Sequence, residues 1–171
     1  MTILTIMRHA KSDWGDARLD DFDRPLNDRG RKAAKTVGRE LKRRRVRFDL
    51  VFASPALRVR ETLDGVEQGY GEAFPVRFEQ QLYGATERTL ADFVRTIPGE
   101  VHAPLLVGHN PGLQELVLGL ARKDDGGLRS RVQAKFATAA VAILVFPAPR
   151  WDEVEQASGE IVELILPKQL D

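Results

Sequence analysis

The stretch TILTIMRH, residues 2–9, decides how the rest of the chain is read. Thr2 to Met7 is an almost uninterrupted apolar and β-branched run, the pattern of a strand buried on both faces, and it stops abruptly at Arg8 and His9. Such a strand suits an open α/β sheet. There, ligands bind at the carboxyl edge, because the strand fixes the backbone while the following loop leaves side chains exposed. A guanidinium at that edge can clamp phosphate oxygens. It also sets a like charge beside the imidazole, which disfavours the protonated form and leaves a neutral, nucleophilic nitrogen near neutral pH. Arg-His after a single strand also reads as a solvated pair, so the remaining chain has to decide.

Two further segments repeat the arrangement. Asp49 to Ala53 (DLVFA) reads as a second buried strand ending in Ser54-Pro55, with the serine suited to cap a helix and the proline to open it. Arg58 then falls in the opening turn of that helix, beside the strand end, and Arg60 points to a different face. Leu105 to Val107 reads as a short buried strand ending in GHNPG, where Asn110 can cap and Pro111 can open a helix over 112–121. His109 thus repeats the position of His9. Parallel strands bring such ends to one edge, so Arg8, His9, Arg58 and His109 converge from distant parts of the chain.

Between these units, Lys11 to Leu26 reads as a long aspartate-rich loop. A helix from about Arg29 to Arg45 follows, capped by Asp28, with Val37 and Leu41 on its apolar face. Pro75 to Phe78 reads as a short strand, and Leu90, Phe93, Val94 and Ile97 have helical spacing. Lys123 to Ser130, with Gly126-Gly127, reads as a flexible surface loop. Ala137 to Phe146 and Ile161 to Leu166 read as two late strands forming an antiparallel pair on which Trp151 packs.

Composition bounds the function. The 171 residues fit one domain spanning 1–171 with a substantial core. Lys plus Arg number 26 against 25 Asp plus Glu, so a global polyanion-binding surface is not implied and any basic site must be local. The run Lys42, Arg43, Arg44, Arg45, Arg47 closes a helix, where cations offset the negative dipole end; nucleic acid is not expected as a partner. The absence of cysteine excludes disulfides, cysteine-ligated metals and a thiolate nucleophile. No membrane span or signal peptide is expected, and a cytoplasmic protein is the default reading. No His, Asp and Glu positions have metal-ligand spacing, so neither metal nor cofactor is expected, and His102 reads as a surface histidine.

Two arginines and two histidines make a pocket of positive potential suited to a phosphoryl group, whose oxygens need donors as charge redistributes in the transition state. LTIMRHAKS, SPALRVRET and LLVGHNPG resemble the three signature segments of the histidine phosphatase superfamily, in the expected order. The likeness is greatest to its small SixA-type phosphohistidine phosphatase branch and covers nearly the whole chain, with RPLNDRGRKAA (24–34) resembling the segment leading into the first helix. The resemblance implies a phosphoglycerate-mutase-like α/β fold, a three-layer α/β/α sandwich around a mostly parallel sheet with an antiparallel edge. It implies His9 as nucleophile forming a covalent phosphohistidine, with Arg8, Arg58 and His109 binding the phosphoryl oxygens.

Two departures stand out. Ala10 occupies a position where the superfamily usually has glycine, which bears on the backbone after His9. No carboxylate motif for a general acid is found between Phe78 and Leu90; Glu79, Glu87 and Asp13 lack diagnostic context, and Tyr83-Gly84 could shape the pocket rim or simply pack. Imidazole leaving from a phosphoramidate needs far less protonation than an alkoxide. The expected activity is therefore that of a metal-independent phosphatase for protein phosphohistidine, with a phosphorylated protein such as a histidine phosphotransfer domain as partner. A small-molecule phosphomonoesterase or mutase of the same superfamily and a non-catalytic phosphoprotein-binding module are the alternatives.

Overall fold

The computed structural model describes residues 1–123 and 126–170. Its strands are β1 (Thr2–Arg8), β2 (Leu50–Ala53), β3 (Val76–Phe78), β4 (Pro104–Gly108), β5 (Val141–Phe146) and β6 (Glu160–Ile165). The α-helices are α1 (Asp28–Arg43), α2 (Leu57–Tyr70), α3 (Glu87–Arg95), α4 (Gly112–Leu120) and α5 (Leu128–Ala134). One six-stranded sheet has the order β3-β2-β4-β1-β5-β6. β3, β2, β4 and β1 are mutually parallel, and β5 runs antiparallel to both β1 and β6. The antiparallel strand therefore lies one place in from the edge.

Alternation along the strands builds two cores. Leu4, Ile6, Phe52, Leu106 and Leu144 face the layer of α3, α4 and α5, whereas Val51, Leu105, Val107, Val141 and Ile143 face α1 and α2. Each fully buried aliphatic side chain contributes roughly 1.5–3 kcal/mol, which outweighs the weak propensity of these short strands. Trp151 is buried in the first core, its indole N–H donating to the Val101 carbonyl at 2.8 Å. The result is a three-layer α/β/α sandwich.

Local departures from the sequence reading have identifiable causes. Asn27, not Asp28, caps α1: its Oδ1 accepts from the Gly30 N–H at 2.8 Å, and Asp28 is the first helical residue. Helix α2 begins at Leu57 after Ala56 rather than at Pro55, whereas α4 begins at Gly112 with Asn110 Oδ1 accepting from the Gln114 N–H of its first turn at 3.2 Å. The strand expected from Ala137 begins only at Val141. The loop expected over 123–130 gives way at Leu128 to α5, and its residues 124 and 125 lie outside the described residues. In the basic run, Lys42 pairs with Glu72, Arg43 with Glu40, and Arg44 with Glu40 and Glu163.

Helices α1 and α2 cross where glycines allow their backbones to touch. A Cβ on Gly38 would lie 2.2 Å from the Val66 carbonyl oxygen, and one on Gly69 would lie 2.0 Å from that of Lys35. Gly69→Ala is expected to lower unfolding stability by roughly 1–3 kcal/mol despite alanine's better helix propensity, because the obstacle is backbone. Denaturant melts should show this loss, with Gly99→Ala, where a Cβ meets open space, as the near-neutral control.

Candidate active site

The parallel register brings the predicted strand ends together. Arg8 is the last residue of β1, opposite Gly108 at the end of β4. The His9 N–H donates to the Gly108 carbonyl at 3.1 Å, and the His9 carbonyl accepts from the Ala139 N–H at 3.0 Å. The histidine backbone is thus held on both sides. Ala10 is fully buried and is not among the residues with positive φ, so alanine fits without strain. Its N–H donates to Thr62 Oγ1 at 2.9 Å, and that hydroxyl donates to the Arg58 carbonyl at 2.6 Å, tying the loop after β1 to the first turn of α2.

Arg8, His9, Arg58 and His109 all line one cleft of about 1030 Å³. The His9 and His109 ring centroids are 5.3 Å apart. His9 Nδ1 lies 2.7 Å from the Ala10 carbonyl, which can only accept, so the proton resides on Nδ1 and the Nε2 lone pair is free. His109 has the opposite tautomer. Its Nδ1 lies 3.2 Å from Arg58 Nη2, which can only donate, so the proton is on Nε2 and is given to Ser54 Oγ at 2.8 Å. That contact occupies the serine that the sequence suggested as a helix cap.

Both rings are held neutral. Burial first, then the repulsion between the two rings, were both protonated, and the charges of Arg58 and Arg8, push His9 down to about 3 against the favourable bond to Ala10. Burial and then Arg58 push His109 down to about 4.

Three residues that carry the cleft's electrostatics had no role in the sequence reading. Arg24 is buried and pairs with Asp21 Oδ1 at 3.1 Å. Its guanidinium lies 3.4 Å from the ring centroid of Trp14, an exposed indole at the cleft. Arg58 donates to the Asp21 carbonyl at 2.6 Å and to its Oδ2 at 3.0 Å, and the Tyr83 hydroxyl donates to the same Oδ2. Asp21 therefore anchors both arginines. Arg8 is held separately, by the Phe136 carbonyl at 3.1 Å. The only sequence signal was the aspartate-rich loop itself and the segment beginning at Arg24.

Among the described residues Asp21 is the sole carboxylate lining the cleft; Asp13, Glu79 and Glu87 do not line it. The bond from Tyr83, then those from Arg58 and Arg24, hold its carboxyl below the ordinary range against the penalty of burial, so it is ionised at neutral pH. Tyr83 and Gly84 both line the cleft, as anticipated for the rim. Arg60 is turned away, its Nε donating to the Pro55 carbonyl at 2.8 Å, and His102 is exposed. Among the described residues no group of three His, Asp or Glu is placed to hold a metal ion, and no helix is long and apolar enough to cross a membrane.

The family model for the histidine phosphatase superfamily (branch 1) matches residues 4–86. An uncharacterised protein of Mycobacterium tuberculosis is 34% identical over 164 residues, covering 95% of this chain and 100% of that protein. Two solved structures assigned as the phosphohistidine phosphatase SixA are similar over nearly the whole fold. That from Nakamurella multipartitia has a TM-score of 0.83 at 28% identity, covering 97% of this chain and 96% of its own. That from Agrobacterium tumefaciens has a TM-score of 0.79 at 25% identity, covering 97% and 98%.

The lowered histidine values set a pH dependence. An imidazole whose folded value lies below its unfolded value of ~6.5 binds its proton more readily when unfolded. The stability contributed by neutral His9 and His109 is therefore fully present above about pH 6.5 and is lost as pH falls toward their folded values of about 3 and 4. NMR of ¹⁵N-histidine-labelled protein at pH 6 should show both rings neutral, His9 with its proton on Nδ1 and His109 on Nε2. A midpoint near 6.5 for either ring would contradict the assignment.

Proposed function

The chain belongs to the histidine phosphatase superfamily, and we propose that within it this protein is a phosphatase that removes the phosphoryl group from phosphohistidine in a protein. In the first step the His9 Nε2 lone pair attacks phosphorus in line, a new N–P bond forms, and the N–P bond to the substrate imidazole breaks. The departing imidazole takes up a proton from solvent. Water then attacks the phosphorylated His9, releasing inorganic phosphate and restoring the neutral ring. Arg8, Arg58 and Arg24 bind the phosphoryl oxygens, and the charge of these guanidiniums does the work that a divalent cation does elsewhere, so the reaction is proposed to be metal-independent; His109 joins them when its Nε2–H turns from Ser54 to a phosphoryl oxygen.

The observation that carries the substrate class is the state of Asp21. Asp21, the single carboxylate in the cleft among the described residues, is ionised and committed to Arg58, Arg24 and Tyr83. It cannot protonate a leaving group. General acid catalysis typically contributes ~10² to 10⁴-fold, which an alkoxide leaving group would forfeit and an imidazole largely would not. The SixA assignment of two similar structures supports the same reading.

With one enzyme preparation at neutral pH, kcat/KM is expected to be higher on phosphohistidine than on phosphoserine, phosphothreonine or a sugar phosphate. Faster turnover of an alkyl phosphomonoester would favour the small-molecule phosphatase instead. His9→Ala should abolish turnover and acid-labile labelling of the enzyme by ³²P, with the fold retained by circular dichroism. Arg8→Ala, Arg58→Ala and His109→Ala should each lower kcat/KM by on the order of 10²-fold or more. Incubation with a chelator should leave kcat/KM unchanged; loss restored by added Mg²⁺ or Zn²⁺ would overturn the metal-independent step.

A further inference from the structure

The cleft holds more positive charge than one phosphoryl group uses. Arg8, Arg24 and Arg58 lie deep and are each fixed by a protein acceptor. Five further cations line the same cleft: Lys11, Arg29, Arg131, Lys135 and Lys168. All five are exposed, and among the described residues none has an ion-pair or side-chain hydrogen-bond partner. They arrive from four separate places: the loop after β1, the first turn of α1, α5 with its C-terminal cap, and the turn after β6. Among the described residues Asp21 is the only negative charge lining this cleft, in a chain whose overall charge is +1.

Fixed donors and free cations suit different tasks. A small polyanion is selected by donors held in place, because each group immobilised on binding costs entropy. Exposed, unpaired lysines and arginines instead raise a field that steers an oppositely charged surface and form the polar rim of a protein interface. A cleft of about 1030 Å³ lies at the upper end of the range that encloses whole small ligands, and it opens onto these residues.

We infer that the five rim cations form a docking surface for an acidic face of the phosphorylated protein, surrounding the phosphorylated side chain. The inference rests on the phosphohistidine reading above and adds the character of the partner's surface. Docking of this kind raises the association rate and weakens with salt, since the Debye length falls from ~30 Å at 0.01 M to ~10 Å at 0.1 M.

The test uses the full chain and two phosphohistidine peptides of equal length, one flanked by Asp and Glu and the other by Lys. The readout is the ratio of their kcat/KM values, in which effects on the shared chemistry cancel. At low ionic strength the ratio should favour the acidic peptide by on the order of ten-fold and shrink toward unity in 0.5 M NaCl. In the variant Arg131→Glu/Lys135→Glu/Lys168→Glu the preference should vanish at all salt concentrations. Equal turnover of both peptides by the unaltered protein, or a preference that survives the triple charge reversal, overturns the docking surface while leaving the phosphohistidine reading standing. Failure to turn over either peptide overturns both. Competition by inorganic tripolyphosphate that the triple variant abolishes, without any peptide preference, assigns the rim to a small polyanion instead.

Discussion

Two backbone hydrogen bonds hold the residue on which the rest of the site converges. His9 donates to Gly108 on one side and accepts from Ala139 on the other, so its main chain continues the sheet one residue past the end of β1. A side chain fixed in this way depends on global register. A slip of one residue would turn every inward side chain outward and move His9 from the cleft into a core. The two apolar layers that specify the register of β1, β4 and β2 therefore also specify where the imidazole stands relative to His109 and the start of α2.

Gathering three arginines and two histidines in one cleft creates a conflict that the structure resolves by keeping the histidines neutral. Each guanidinium disfavours a protonated ring, and burial adds to the effect. The cations are tolerated because Asp21 binds two of them and the Phe136 carbonyl holds the third. Four buried guanidinium nitrogens (Nε of Arg8, Arg24 and Arg58, and Nη1 of Arg24) find no partner among the described residues. Buried donors without acceptors destabilise a fold.

The site was legible where its signal was local. Each apolar run that stops at a charged residue marks a strand's carboxyl end, which sufficed to place Arg8, His9 and His109, and Arg58 followed from its distance after β2. Arg24, Asp21 and Trp14 escaped because they sit in an irregular loop, where no period in the sequence records which side chains face inward. The Ser54 hydroxyl oxygen accepts both from the Ala56 N–H at the start of α2, at 3.3 Å, and from His109 Nε2–H, and only tertiary structure reveals the second partner. Helix α5 was hidden because a seven-residue polar segment with Val132 as its one buried residue has no amphipathic pattern to read.

The position of Trp14 has an optical consequence. The chain has two tryptophans. Trp151 is sealed in the core, its surroundings apolar and its N–H engaged by Val101, so its emission is a constant background. Trp14 is 77% exposed and lies against the Arg24 guanidinium, a charge whose electric field acts directly on the indole. An anion that neutralises Arg24 changes that field. Occupancy of the cleft is thus written into the intrinsic fluorescence of the protein, where it can be followed without a label.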